Sequence, residues 1–201
     1  EEFAINSHEK ALKAIESGKF KNEIIPVEIN GVIIDVDEGP REPNVEKIRS
    51  LDPAFDSEGT ITAATSSPIS IGAAATIIMS RVKAEKLEII PKYHIRSRAI
   101  AGVDWTRMGS GPLPATEKAL IKANLTMDDI ETIELNEAFA AQVLSCTRAW
   151  GLADDDARIN PCAVLTVKLR WIFKETDGRI TEDFLLPPPD RSCAGKLPCV
   201  D

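Results

Sequence analysis

Two spacings of apolar residues alternate along the chain, and the switches between them mark its elements. Over 7–17, Leu12 and Ile15 recur at helical spacing and Gly18 supplies a stop, which predicts a helix. Glu1-Glu2-Phe3-Ala4 already reads as a helical first turn, so an upstream part is expected. Two β-rich runs, Glu23 to Ile29 and Val32 to Val36, flank Asn30-Gly31 and predict a hairpin, because both turn positions need positive φ. Pro26 makes the first of these strands an edge. A short helix follows over 45–51, then a small-residue strand or loop over 61–67. Ile71, Ala74, Ala75, Ile78, Met79 and Val82 form a wide apolar stripe, which predicts a buried helix.

From Pro91 the alternation restarts. A strand is expected over 95–103, with His94 at its head, then a Gly/Pro loop over 108–114 and a helix to about Ala123. Thr126 opens a short helical turn, and Thr132, Ile133 and Leu135 read as the end of a strand. Phe139, Ala140, Val143, Leu144 and Thr147 then take helical spacing up to Gly151, with Cys146 as a buried packing residue. Over 163–173 the period is two, and Thr176-Asp177-Gly178 signals a turn; three prolines from Pro187 precede a loosely packed tail. Strand and helix in alternation argue for a layered α/β fold. The best boundary candidate is a linker over 88–92.

The most informative junction is Glu134-Leu135-Asn136-Glu137-Ala138-Phe139, where a strand pattern gives way to a helical one. Such junctions present side-chain amides and free N–H groups to ligands in open α/β layers. The plainer reading makes Asn136 the helix cap.

Composition narrows the partners. A formal net charge of −8 without a basic run, and only ten aromatic residues in 201, argue against nucleic acid and against a membrane surface. Cys146, Cys162, Cys193 and Cys199 form no CxxC pair and only two histidines are present, so no metal site is expected. The same pattern favours a reducing compartment. Cytoplasm is the expected location, with mitochondrion and peroxisome as alternatives.

Several ordered segments resemble the thiolase family, enzymes that cleave or form 3-ketoacyl-CoA. They are Phe3-Ala4 with Ser7-His8-Glu9-Lys10-Ala11, Gly18-Lys19-Phe20, Glu23-Ile24-Ile25-Pro26-Val27, and Asp37-Glu38 with Arg41. Gly59 to Ser67 and Gly72-Ala73-Ala74-Ala75 continue the series, as do Gly102-Val103-Asp104, Met108-Gly109 and Gly111-Pro112. The series ends in the Asn136-Glu137-Ala138-Phe139 motif, and over 153–161 the chain is most similar to bacterial-type enzymes acting on 3-ketoadipyl-CoA. The resemblance implies a thiolase-like α-β-α-β-α layered architecture, incomplete here. It divides the chain into the remainder of a loop domain (1–69), the last segment of an N-terminal thiolase domain (70–90), part of a C-terminal thiolase domain (91–161) and a divergent tail (162–201).

The resemblance also implies a mechanism. A cysteine thiolate attacks the keto carbonyl, acetyl-CoA leaves, and a second CoA thiol resolves the acyl-enzyme. A histidine activates the nucleophile and a second cysteine works as acid and base. Asn136 would hold the water of one oxyanion hole. Ser67 would bond the pantetheine arm, while Ala63, Phe55 and Met108 would line its tunnel beside Ala138 and Phe139. Plain alternatives stand next to these roles: core packing for Phe55 and Met108, a turn serine for Ser67. Coenzyme A enters as substrate, no cofactor is covalently held, and association into a homo-oligomer or with thiolase subunits is expected.

Departures from the family are equally specific. Its nucleophile would lie upstream of Glu1, and Cys162-Ala163-Val164-Leu165-Thr166 stands where its Gly-His-Pro loop belongs. Neither His8 nor His94 precedes proline; both read as structural or surface residues. Cys193-Ala194-Gly195 is a weak match to the family's final Cys-x-Gly. Thr65 stands in place of an asparagine and Ile71 of an aspartate. Three functions therefore compete: an acyltransferase by descent whose site is incomplete in this chain, a non-catalytic CoA-binding module, and a structural partner of thiolase subunits.

Overall fold

The computed structural model describes residues 1–91 and 93–159, together with the backbone of 171–172. Helix α1 (Glu2–Glu16) buries Ala4, Ser7 and Ala11, a narrow stripe of small side chains that lets its backbone approach its neighbours closely. Leu12 and Ile15, expected inward, flank that stripe and are only half-buried. Gly18, at φ +70°, turns the chain out of the helix.

Strands β1 (Val27–Ile29) and β2 (Val32–Ile34) pair antiparallel, with Val27 opposite Ile34 and Ile29 opposite Val32. Asn30 and Gly31 lie at φ 52° and 79°, the left-handed pair that a tight two-residue hairpin requires. All six strand residues are exposed, so among the described residues turn and ladder alone hold the hairpin. Asn44 caps α2 (Val45–Arg49), its Oδ1 accepting the Lys47 N–H at 2.9 Å.

Helix α3 covers Arg81–Lys86, α4 covers Pro112–Ala123 and α5 covers Ala140–Ala149. Proline opens α4, where its missing N–H costs nothing, and Asn124 closes it in the left-handed region. Strand β3 (Thr132–Ile133) pairs antiparallel with β4 (Trp171–Ile172). On its other side the Ile133 N–H donates to the Arg158 carbonyl at 2.7 Å, within a parallel bridge to Ile159.

The core lies in the second half of the described chain. Ile130, Ile133, Leu152 and Ile159 form one cluster; Leu135, Val143 and Cys146 form a second, against which Phe3 of α1 packs. Trp150 touches both. Each fully buried aliphatic side chain contributes about 1.5–3 kcal/mol, so these few residues dominate the stability.

Two expected elements do not form. Helix α3 starts only at Arg81, and Ile71, Ile77 and Ile78 before it are 105, 85 and 64% exposed. Residues 93–104 carry no regular structure; His94 lies there, and Ile100 is 91% exposed. The physical reason is the same in both places. An amphipathic helix draws its stability from the surface that covers its apolar stripe, and a strand from a neighbouring ladder. Among the described residues no element supplies either. Of the period-two run over 163–173, only Trp171–Ile172 is described, as strand. The turn at 176–178, Cys162, Cys193 and Cys199 lie outside the described residues.

Candidate functional site

Between β3 and α5 run six residues, 134–139, in which burial changes abruptly. Glu134 and Leu135 are buried and Asn136 is exposed; Glu137, Ala138 and Phe139 are half-buried. Phe139, in extended conformation, is the N-cap residue of α5, and no side-chain hydrogen bond caps that helix. The plainer reading of Asn136 as a cap is thereby corrected. The amide stands three residues too early, which leaves its donor and acceptor atoms for another partner.

A second segment meets this junction from the first half of the chain. Residues 53–62 fold back on themselves, with a bridge between Pro53 and Thr62 and the Ala54 N–H donating to the Ile61 carbonyl at 2.8 Å. Gly59 has no substitute at the bend, because a Cβ there would lie 2.9 Å from the Asp56 carbonyl oxygen. A 3-10 turn over Ala63–Thr65 follows, in which Thr65 Oγ1 accepts the Thr62 N–H at 2.9 Å. Ser66 then bridges Phe139, and the Ser67 N–H donates to the Ala138 carbonyl at 2.9 Å. The rings of Phe55 and Phe139 meet edge-on. Ser67, Ala138, Phe139 and Phe55 are thus brought together, with Ala63 exposed on the adjoining turn.

Met108 lies on a 3-10 turn, Trp105–Ser110, that packs on α5. The approach is close at Gly109, whose Cβ would sit 3.0 Å from Gln142 Cγ. Cys146 Sγ is 3.5 Å from the Gly109 carbonyl. Its burial, and the resulting rise in the thiol pKa, fit the packing role expected of it. Phe55 and Met108 are 74 and 73% exposed, so neither is a core residue. Cys193 lies outside the described residues.

The titratable group at this site is one that sequence reasoning left unassigned. Ser7 Oγ donates to Glu137 Oε2 at 2.6 Å, and Oε1 is a buried oxygen with no partner among the described residues. Burial pushes the Glu137 carboxyl up to about 7, with Glu134 adding to the rise while Ser7 and Lys10 oppose it. The signal was present in the sequence as a glutamate inside the motif and a serine on the inward face of α1. Nothing in their spacing joined them. His8 accepts the Arg41 N–H at 3.3 Å, and burial together with Arg41 lowers its pKa, so it serves as a local tie. Among the described residues no group of three or more His, Cys, Asp or Glu side chains is placed to hold a metal ion, and no helix is long and apolar enough to cross a membrane.

The strand-to-helix junction of this α/β chain is thus clipped to a small-residue loop. Residues 1–82 match the family model for the thiolase N-terminal domain, and residues 89–165 match that for the thiolase C-terminal domain. The chain belongs to the thiolase family, and its fold is thiolase-like α/β. It is 48% identical over 162 residues to an acetyl-CoA acetyltransferase of Syntrophomonas wolfei subsp. wolfei, covering 79% of this chain and 41% of that protein. It is also 48% identical over 165 residues to a 3-ketoacyl-CoA thiolase of Acinetobacter baumannii, with 79 and 42% coverage. The crystal structure of the Bacillus anthracis acetyl-CoA acetyltransferase superposes with a TM-score of 0.75 at 38% identity, over 80% of this chain and 42% of that one. The chain therefore spans about two fifths of the length of these relatives.

Proposed function

We propose that this chain takes part in acyl transfer between a 3-ketoacyl-CoA and coenzyme A, with Asn136 on the oxyanion side and the Ala63–Ser67 turn on the CoA side. The observation that carries the reading is the bond from the Ser67 N–H to the Ala138 carbonyl, which sets the small-residue turn beside the Asn136 junction. An exposed amide free of capping duty suits a group that must hold a water against a developing oxyanion. The thiolase resemblance supplies the remaining steps. A thiolate adds to the keto carbonyl and the bond to the acetyl-CoA carbanion breaks. The enolate is protonated, and a CoA thiol then takes the acyl group from the thioester.

In this reading the nucleophilic cysteine and the activating histidine are not among residues 1–159. Residues 1–159 hold the CoA side of the site, and turnover requires the cysteine and histidine that lie outside them. Two measurements on the full chain test it. Calorimetric titration with CoA should give saturable binding that Ser67→Ala weakens, and no binding would discard the reading. Incubation with acetoacetyl-CoA and CoA, followed by the enolate absorbance, should show no loss of signal; robust turnover would refute the division of the site.

A further inference from the structure

We propose that Glu137 is a positioning residue for Asn136, and that its carboxyl, gripped by Ser7, and the Ala138 carbonyl, gripped by the Ser67 N–H, fix the junction from two sides. The inference rests on the role given to Asn136 above, but its geometry is independent of ligand. Asn136 is exposed, so its placement follows from the residues beside it. The next residue is tied by its side chain to α1 at 2.6 Å, and the one after by its carbonyl to the loop end at 2.9 Å. The two ties come from separate segments, at Ser7 and Ser67, and meet on consecutive residues. A six-residue connection between a two-residue strand and a helix without a side-chain cap has little stiffness of its own, so clamps at both flanks decide where the amide points.

The carboxyl is held short of full satisfaction. Oε2 takes the Ser7 hydroxyl, while buried Oε1 has no partner among the described residues. Lys10 on α1 and Glu134 at the end of β3 act on it electrostatically; Asp154 and Asp155 line the cleft beyond Ser7. The 65–67 segment brings no charge. Ionisation without a second donor favours opening of the clamp toward water, so the grip should weaken as pH rises through about 7.

Amide exchange on the full chain, read by NMR, tests the clamp at the Ser67 N–H. Ser7→Ala should speed exchange of that amide about tenfold, the scale of one neutral hydrogen bond, and shift the Asn136 side-chain amide resonance. Exchange at Ile133 should stay unchanged. Glu137→Gln keeps an acceptor for Ser7 and should preserve the grip while making Ser67 protection flat between pH 5 and 8, where the native chain loses it. A general structural role would instead move Ile133 and Ser67 together and leave the pH profile of Glu137→Gln sloping. Wild-type Ser67 exchange in Ser7→Ala, or an unmoved Asn136 resonance, overturns the proposal. Failure of CoA to bind in the titration above would remove the acyl-transfer reading and leave these exchange results standing.

Discussion

Phe55 and Phe139 meet edge to face, with ring centroids 6.1 Å apart and planes at 77°. The contact joins the 53–62 fold-back to the residue that begins α5, so an aromatic pair closes the joint that the backbone bond at Ser67 opens. Phe55 is 74% exposed, which limits what the pair contributes.

A double-mutant cycle should find a coupling of about 0.5 kcal/mol between Phe55→Ala and Phe139→Ala, the lower end of the range for aromatic pairs. Urea denaturation of the two single variants and the double variant measures it. Strict additivity would mean that the rings only lie near one another.

Stability should fall as pH rises from about 4.5 to about 7. Glu137 is protonated in folded and unfolded chain alike below its ordinary value of 4.5. Above that value the unfolded carboxyl ionises first, and the folded one follows only near 7. The stabilisation is complete below the first value and lost through the second, a change of about 3 kcal/mol. Urea midpoints at pH 5 and pH 8 should record this decline, and Glu137→Gln should abolish it. An equal decline in the variant would assign the effect elsewhere.

Gly109→Ala should destabilise the chain by about 1–3 kcal/mol, because the added methyl meets Gln142 on α5 and that side chain must give way. The second substitution Gln142→Ala, which removes the Cγ at 3.0 Å, should restore part of the loss. Thermal melts of both variants decide whether that side chain is the obstacle.

Burial should outweigh charge when single residues are removed. Ile133→Ala takes out a side chain of 0% exposure at the centre of the first cluster and should cost about 2–5 kcal/mol, a large share of the about 5–15 kcal/mol of an ordinary domain. Arg148→Ala breaks a bidentate pair with Asp154 at 2.6 and 2.9 Å, but its partners are 64 and 51% exposed. Its cost should be far smaller than that of Ile133→Ala, because water screens an exposed pair. Chemical denaturation of the two variants side by side is the check.

Local chemistry made much of this legible in sequence. Asn30-Gly31, Gly18 and Gly151 each specify a backbone conformation on their own, and the hairpin and the ends of α1 and α5 appear where those residues predict, whereas α4 begins at Pro112, inside the stretch expected as a Gly/Pro loop. The stripe from Ile71 and the run over 95–103 failed for the opposite reason. Their pattern describes a face, and a face becomes an element only when something covers it. At the candidate site, the motif pointed to the 134–139 junction, and the apposition of Ser67 with Ala138 and of Phe55 with Phe139 followed the residues singled out. The Ser7–Glu137 bond was hidden because hydrogen bonds across 130 positions leave no periodic trace. The roles of Ala63 and Met108 depend on a ligand, and Cys193 falls outside the described residues.

That bond also sets a timetable. Ser7 leaves the ribosome 130 residues before its acceptor exists. At about 5–20 residues per second, α1 waits on the order of ten seconds without the carboxylate it binds. During that interval its small-residue face lacks the packing of Leu135 and Val143 against Phe3 as well. Of the described helices, α1 is therefore the first made and among the last to dock, and it is the stretch a folding assistant would have to shelter longest.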